Sequence, residues 1–550
     1  MTAEYRPAGS APTTRWQDLI AGVSIAGLLL PEAVAYSGIA NLPPQAGIIA
    51  VFAGLGCYAL IGTSRFAIVS ATSSSAAVLA AATASLAGGD PALRMTLAYA
   101  LVLITGALFV LAGLFRLGNV TDFISKPVLR GFAFGLAIVI IVKQFETVVN
   151  VHPGANELYR GVIALISQAR SWHLISAAVG AAALVLLFVL APLRRVPGGL
   201  IVIALGIAAS HYLDLPGRGV SVVGTIHLGL ETPSLPELAR AQWLRLGELG
   251  IALVMILYAE SYGSIRTFAI KHGDVVNANR DLIALGVSNG LGGLFHGMPV
   301  GAGYSGTSAN DAAGAVSRWS GIVAALTLLA LALTVLPLIA LTPLPVLAAI
   351  VIRAVSHSLQ PSEFRQYFIW HRDRLVAVTA VIAVLWLGVL DGLLAAIAIS
   401  LAMLLRRISV PTISVLGRLG DSHDFVSIAA HPEARRLSGL IILRPEAPLF
   451  FANAERILLE ARHQIAAAAG AQCVILSLEE SFDLDSTSVE ALTAFFAWAA
   501  ARKLRLVLAR LKPPVNDLLR MVVVAGPHAP VLSALSVDDA VRLGLTPAAS

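Results

Sequence analysis

Gly297-Met-Pro-Val-Gly-Ala-Gly-Tyr-Ser-Gly-Thr-Ser-Ala-Asn310 breaks a chain that is apolar on both sides of it. Water is absent from a bilayer core, so irregular backbone survives at that depth only when buried in protein or lining a wet cavity. The break is therefore a candidate binding site. A short helix is expected to begin between Tyr304 and Thr307, where unpaired N–H groups and the positive end of the helix dipole suit an anion.

A second stretch of this kind comes earlier. Gly62-Thr-Ser-Arg-Phe-Ala-Ile-Val-Ser-Ala-Thr-Ser-Ser-Ser75 starts polar and strand-like, then runs into the alanine-rich segment 76–87, as if a strand fed a half-helix. Two interrupted apolar segments in corresponding halves of a chain point to the midplane site of an inverted-repeat transporter. Small residues that merely let helices pack closely would account for one such stretch more readily than for a matched pair.

The bulk composition agrees with a polytopic α-helical membrane protein. Of 550 residues, 57% are hydrophobic and 13% charged, and the mean hydropathy is +0.81, well beyond a soluble chain. The net charge of +6 lies mostly beside apolar runs, which makes the lipid bilayer, and not nucleic acid, the expected partner. Residues 1–15 lack an apolar core and a small-residue cleavage site, so they read as a cytosolic N-terminal segment without a removable signal. Cys57 and Cys473 form neither a disulfide framework nor a metal site by spacing. No nucleophile–base pair, metal cluster or phosphate loop emerges, so neither an enzyme, a cofactor nor a metal is expected.

Apolar runs between charged or Pro/Gly punctuation fall near 18–37, 45–62, 66–87, 93–115, 127–149, 172–191, 198–213, 248–269, 282–295, 304–314, 318–341, 345–356, 375–389 and 391–406. Half-helices meeting at mid-membrane can be shorter than the usual span of about 20 residues. Fourteen candidates divide into seven plus seven, with the broken segments third and tenth. Basic loop residues (Arg116, Lys126 and Arg130; Arg194 and Arg195; Arg266, Lys271 and Arg280; Arg365, Arg372 and Arg374; Arg406 and Arg407) share one side if odd spans run outward. The positive-inside rule then puts both termini in the cytoplasm of a multi-pass inner (plasma) membrane protein. From residue 409 to 550 the pattern changes to a small cytosolic α/β domain. Leu440 to Leu443, Cys473 to Leu478 and Leu504 to Leu508 read as strands, and Ala452 to Ala469 and Ser486 to Ala501 as helices. Asp485-Ser486-Thr487 supplies an N-cap for the second helix.

These residues resemble the sulfate permease (SulP) family of anion transporters, which joins a fourteen-span inverted-repeat domain to a C-terminal STAS domain. Pro31-Glu-Ala-Val-Ala-Tyr36 with Asn41-Leu-Pro-Pro-Gln-Ala-Gly47 is similar to the first-span signature, and Gly62-Thr-Ser-Arg65 to the start of the third span. Ala259-Glu-Ser261, Asn279-Arg280 and Gly286-Val-Ser-Asn289 match the eighth-to-ninth span pattern. Met298-Pro-Val300 with Ser305, Asn310 and Ser317-Arg318 matches the tenth, and Ile475 to Ser488 the STAS core strand and loop. Three places depart from the pattern. Glu32 stands where the family usually has glutamine, Ser70-Ala71 where it often has Gly-Pro, and Gly306 where an arginine is common. The resemblance implies a homodimer in which core spans 1–4 and 8–11 (within a transporter domain 16–408) move against gate spans 5–7 and 12–14.

The expected function is secondary active transport of a small anion of the sulfate, bicarbonate or dicarboxylate class, with a proton or sodium as coupling ion. The anion would lie between opposed half-helix N-termini, at Ser70, Ala71 and Thr72 and at Gly303, Tyr304, Ser305, Gly306 and Thr307. Against this, each hydroxyl could simply bond a carbonyl one turn away. Glu260, ionisable and inside the eighth span, is the candidate for ion coupling, a role the resemblance also implies; the competing role is a packing ion pair with Arg266 or Lys143. Glu32 and, one turn on, Tyr36 are further candidates for the substrate site. In the cytosolic domain Ser486 resembles the phosphorylatable serine of STAS-fold anti-sigma-factor antagonists, although a folding role for this N-cap turn suffices to explain it. The alternative function is an anion channel, or an anion-binding sensor that signals through the STAS domain.

Overall fold

The computed structural model describes residues 15–118, 125–151, 153, 158–191, 198–225, 232–356, 358–359, 361–369, 373–410, 412–468, 470–522, 529–533 and 535–545. Most of the N-terminal segment, together with Arg194, Arg195 and Arg372 of the basic loops, lies outside the described residues.

The chain opens with α1 (Arg15–Ala40) and α2 (Pro44–Ile61), then β1 (Val69–Ala71) leading into α3 (Ser73–Ala87). It continues through α4 (Pro91–Leu114), α5 (Lys126–Val148), α6 (Leu158–Ser167), α7 (Leu174–Leu190), α8 (Gly198–Tyr212), α9 (Arg240–His272) and α10 (Ala278–Leu294). The strand–helix unit then recurs as β2 (Val300–Ala302) and α11 (Tyr304–Ala312), followed by α12 (Trp319–Ile339), α13 (Leu344–Ser356), α14 (Pro361–Ile369), α15 (Arg374–Leu387) and α16 (Val389–Ser409). Each apolar run singled out in the sequence overlaps one helix. Two short helices, α6 and α14, fall outside those runs: both are brief, ten and nine residues, and α14 is also polar. Among the described helices α1, α2, α4 and α5 have the length and hydropathy to cross a membrane by themselves.

Local chemistry sets several helix starts. Proline occupies the first helical position of α2 and α4, where no intrahelical N–H is lost. Asp90 caps α4 by accepting from the Ala92 N–H at 2.9 Å, and Asn277 caps α10 by accepting from the Arg280 N–H at 3.1 Å. Packing then relies on small residues, since lipid offers no hydrophobic drive between helices. A Cβ on Gly106 of α4 would fall 2.4 Å from the Gly290 nitrogen of α10, so those two backbones are in contact. One packed group comprises α1, α2, α4, α9, α10 and α12 around the two strands, and a second comprises α5, α7, α13 and α15.

The chain divides into two compact units at Ser400/Leu401, inside the continuous helix α16 and a few residues before the compositional change at 409. In the second unit β3 (Ile413–Arg418), β4 (Phe425–Ser427), β5 (Leu440–Pro445), β6 (Cys473–Ser477), β7 (Arg505–Ala509) and β8 (Val531–Leu532) form a sheet of order β4-β3-β5-β6-β7-β8. The β5-to-β8 half is parallel, and α17 (Ala454–Ala467), α18 (Ser486–Ala501) and α19 (Pro513–Val522) are its crossovers. Alternation along the strands separates two cores. Ile441, Leu443, Val474, Leu476, Leu506 and Leu508 pack with α17, α18 and α19. Ile442, Cys473, Ile475, Val507 and Ala509 face the final helix α20 (Val537–Leu545).

Candidate functional site

The two interrupted segments meet. β1 and β2 pair antiparallel, with Val69 opposite Ala302, Ser70 opposite Gly301 and Ala71 opposite Val300. Each strand passes directly into a helix, so α3 and α11 leave the ladder in opposite directions and turn their N-terminal, electropositive ends toward it. The caps are close: a Cβ on Gly303, the N-cap of α11, would lie 3.2 Å from Thr72 Cγ2, and Thr72 is the N-cap of α3.

A short ladder in an apolar interior leaves backbone groups that need partners, and single polar side chains provide them. Asn289, buried in α10, donates from Nδ2 to the Val300 carbonyl at 3.0 Å and accepts from the Val300 N–H at 2.9 Å. Ser261 Oγ in α9 accepts from the Ala302 N–H at 2.8 Å. A Cβ on Gly301 would come within 2.8 Å of that same hydroxyl, so glycine is needed for the approach. Thr307 Oγ1 accepts from the Ile68 N–H at 3.3 Å.

At the start of α3, Thr72 and Ser75 form a reciprocal capping box at 3.1 Å in each direction. The next interaction carries chemistry: the Ser74 hydroxyl donates to Glu260 Oε2, and the Thr72 hydroxyl donates to the same oxygen at 3.3 Å. This helix end thus already holds a carboxylate. Lys143, a possible partner for Glu260, instead pairs with Glu146 at 3.2 Å. A cavity of about 220 Å³ opens here, bounded by Ser73, Ser74 and Glu260 and by Phe132, Leu136 and Val355.

The other candidates are placed as follows. Ser70 and Ala71 are buried in the ladder, and the Ser70 hydroxyl lies 3.4 Å from the Ala71 carbonyl. Tyr304 and Ser305 are exposed at the start of α11, whereas Gly306 and Thr307 are buried, and a Cβ on Gly306 would sit 3.2 Å from Ile68 Cγ2. Glu32 lines a different cavity, of about 730 Å³, between α1, α8, α11 and α13, with Pro31, Leu200, Ala309 and Ile350. Tyr36 is buried one turn further along α1, within electrostatic reach of both Glu32 and Glu260. The cavity-lining Ser73 and Ser74, and the framework residues Asn289 and Ser261, were not singled out as site residues from the sequence. The run Ser73-Ser74-Ser75 after a strand-like stretch was the available signal for the first two.

In the second unit Ser486 is the exposed first residue of α18. The cap is Asp485, which accepts from the Ser488 N–H at 2.8 Å and the Phe451 N–H at 2.6 Å. Burial pushes the Asp485 carboxyl up, but the donors from Ser488 and Phe451 outweigh it and hold the group below its usual range.

Comparison with known proteins places these features in context. The sulfate permease family matches residues 16–383, and the STAS domain matches residues 431–526. A probable sulfate transporter of Mycobacterium tuberculosis is 33% identical over 513 residues, covering 92% of this chain and 91% of that protein. Human solute carrier family 26 member 6 is 30% identical over 468 residues, covering 80% of this chain and 61% of its own length. Among solved structures, the murine solute carrier 26 family member A9 anion transporter in its inward-facing state gives a TM-score of 0.87 at 20% identity, over 98% of this chain and 96% of that one. The transmembrane domain of a cyanobacterial bicarbonate transporter, BicA, gives 0.63 at 24% identity, over 70% of this chain and 98% of that one. At these identities the structural likenesses speak for the fold.

Proposed function

Because this chain belongs to the sulfate permease family of anion transporters and carries a STAS domain, we propose that it is a secondary active transporter coupling a small anion to a proton. Sulfate, bicarbonate and dicarboxylates are the candidate substrates, the first two also being named for relatives. The observation that carries the coupling is the pair of hydroxyl bonds from Ser74 and Thr72 to Glu260 at the electropositive end of α3.

An ionised Glu260 occupies the donors that an incoming anion needs, and its charge repels that anion. Protonation removes the charge and frees Ser74 and Thr72, so proton and anion bind together. The anion then lies between the start of α3, at Ser73 and Ser74, and the start of α11, at Ser305. Sodium would serve the same end by pairing with the Glu260 charge. Gly306 leaves the site without the fixed cation common in the family, which favours weak anion affinity and a coupled cation. Glu32, which like Glu260 lies within electrostatic reach of Tyr36, is a second candidate acid.

Alternating access is supported by both cavities lying between the two proposed groups of spans. The Glu260 cavity is bounded by α3 and α9 on one side and by α5 and α13 on the other; the Glu32 cavity is bounded by α1 and α11 against α8 and α13. Movement of the group formed by spans 1–4 and 8–11 against the rest would reshape both cavities and carry the site from one side of the membrane to the other. Fourteen crossings, cytoplasmic termini, a plasma-membrane homodimer and regulation by phosphorylation of Ser486 complete the proposal.

Uptake of labelled anions into proteoliposomes, with and without a pH or sodium gradient, tests it. Glu260→Gln is expected to retain anion counterflow and lose gradient-driven accumulation. Accumulation undiminished in that variant would show that another group couples the ion.

A further inference from the structure

On the outer flank of α5 and α15, away from the transport site, a wholly apolar cleft of about 200 Å³ is lined by Phe134, Pro361, Phe364, Val378, Val381 and Ile382. The short helix α14 closes one end, where the Phe364 ring packs edge-on against Phe134 at 5.0 Å between centroids. The two long walls run parallel. Gly131 of α5 faces Ala377 and Ala380 of α15, and Gly135 faces Val381 and Val384, so the residue numbers rise together.

That parallelism gives the cleft one basic end. Arg130 precedes Phe134 by four residues and Arg374 precedes Val378 by four, so both arginines leave their helices one turn, about 6 Å, before the apolar lining and at the same end. Arg365 adjoins Phe364 on α14. Arg130 is steadied by Tyr367, whose hydroxyl accepts from Nη1 at 3.1 Å while the guanidinium lies 5.7 Å from the ring centroid. Arg365 and Arg374 are exposed, as is Lys126 at the start of α5; Asp373 is an exposed acid beside them. The open side of the cleft continues into an apolar outer surface, with Leu375 65%, Ile382 53% and Trp386 76% exposed.

We propose that this cleft binds an anionic phospholipid, with one acyl chain along Phe134, Val378 and Ile382 and the headgroup phosphate on Arg365 and Arg374. An apolar slot open to the bilayer and ending in clustered guanidinium groups matches both halves of such a molecule. A free inorganic anion would leave the slot empty, and a zwitterionic lipid would leave the arginines without a net counter-charge. The exposed Phe368 and Ile369 of α14, beside the exposed Arg365, suit a segment lying in the membrane interface.

Native mass spectrometry of the full chain, released from mixed phosphatidylglycerol and phosphatidylcholine, tests this. The wild type should retain phosphatidylglycerol preferentially, and R365Q/R374Q should weaken that retention by roughly fivefold for each arginine removed. Ile382→Trp, which fills the slot and keeps the charges, should weaken it too, with an unchanged melting temperature confirming the fold. Equal retention of the two lipids by the wild type, or retention unaltered in R365Q/R374Q, would overturn the proposal. Displacement of the lipid by millimolar inorganic phosphate would overturn it in favour of a simple anion site.

Discussion

Asn289 anchors the strand that leads into α11. Its carboxamide satisfies both the N–H and the carbonyl of Val300, in a strand that immediately precedes the α11 cap. Asn289→Ala would strand two buried backbone groups, each costing about 1–3 kcal/mol, for a total of roughly 2–6 kcal/mol. The bond to the Leu285 carbonyl, at 2.9 Å, adds little, because that oxygen already accepts within the helix. Asn289→Leu strands the same groups while nearly refilling the volume, so it separates lost hydrogen bonds from a cavity. If Val300 orients the start of α11, both variants should weaken anion affinity at least tenfold, since about 1.4 kcal/mol of the loss suffices for that. Saturable uptake in proteoliposomes measures the affinity, and thermal melting of the purified protein measures the stability loss. Wild-type affinity and melting in both variants would refute the assignment, and a defect confined to Asn289→Ala would trace it to packing instead.

Two further outcomes concern the second unit. Asp538 is held by Arg418 at 2.7 Å, His423 at 2.9 Å and Arg542 at 2.8 Å; burial pushes its carboxyl up, while the bonds and charges of His423 and Arg542 outweigh that and leave it below the usual range. A carboxyl depressed on folding stabilises above its unfolded value of about 3.9 and loses that contribution as pH falls through the folded value. Asp538→Ala should therefore loosen α20 at pH 7, seen as faster amide exchange, and the difference from wild type should shrink toward pH 3; a constant difference would contradict the pairing. Ser486→Ala should leave melting within about 0.5 kcal/mol of wild type, because Asp485 makes the cap. Ser486→Asp should change the transport rate, and equal rates in both variants would remove the regulatory role.

Much of the architecture was legible because its signals are local. The breaks at 62–75 and 297–310 stand out by glycine and hydroxyl density within apolar surroundings, and β5, β6 and β7 by short, mostly apolar runs. Elements with weaker local patterns escaped. Strand β3 mixes Ser414 and Gly417 with its apolar residues, and α14 is nine residues long. Partners distant in sequence escaped for a different reason. Glu260 stood out as an acid inside a span, but nothing near it indicates Ser74, 186 positions away. Asn289 reads as one polar residue in an apolar helix until Val300 is seen beside it. The glycines of α4 and α10 are likewise visible in sequence, whereas the face each presents to the other emerges only from packing.

Localisation of a bound anion tests the central claim most directly. Crystals of the Glu260→Gln variant grown with selenate would reveal the anion by its anomalous signal. The account predicts a peak between the start of α3, within hydrogen-bonding reach of Ser74, and the start of α11 at Ser305. A peak confined to the Glu32 cavity or to the loops, with the two helix ends empty, would contradict it.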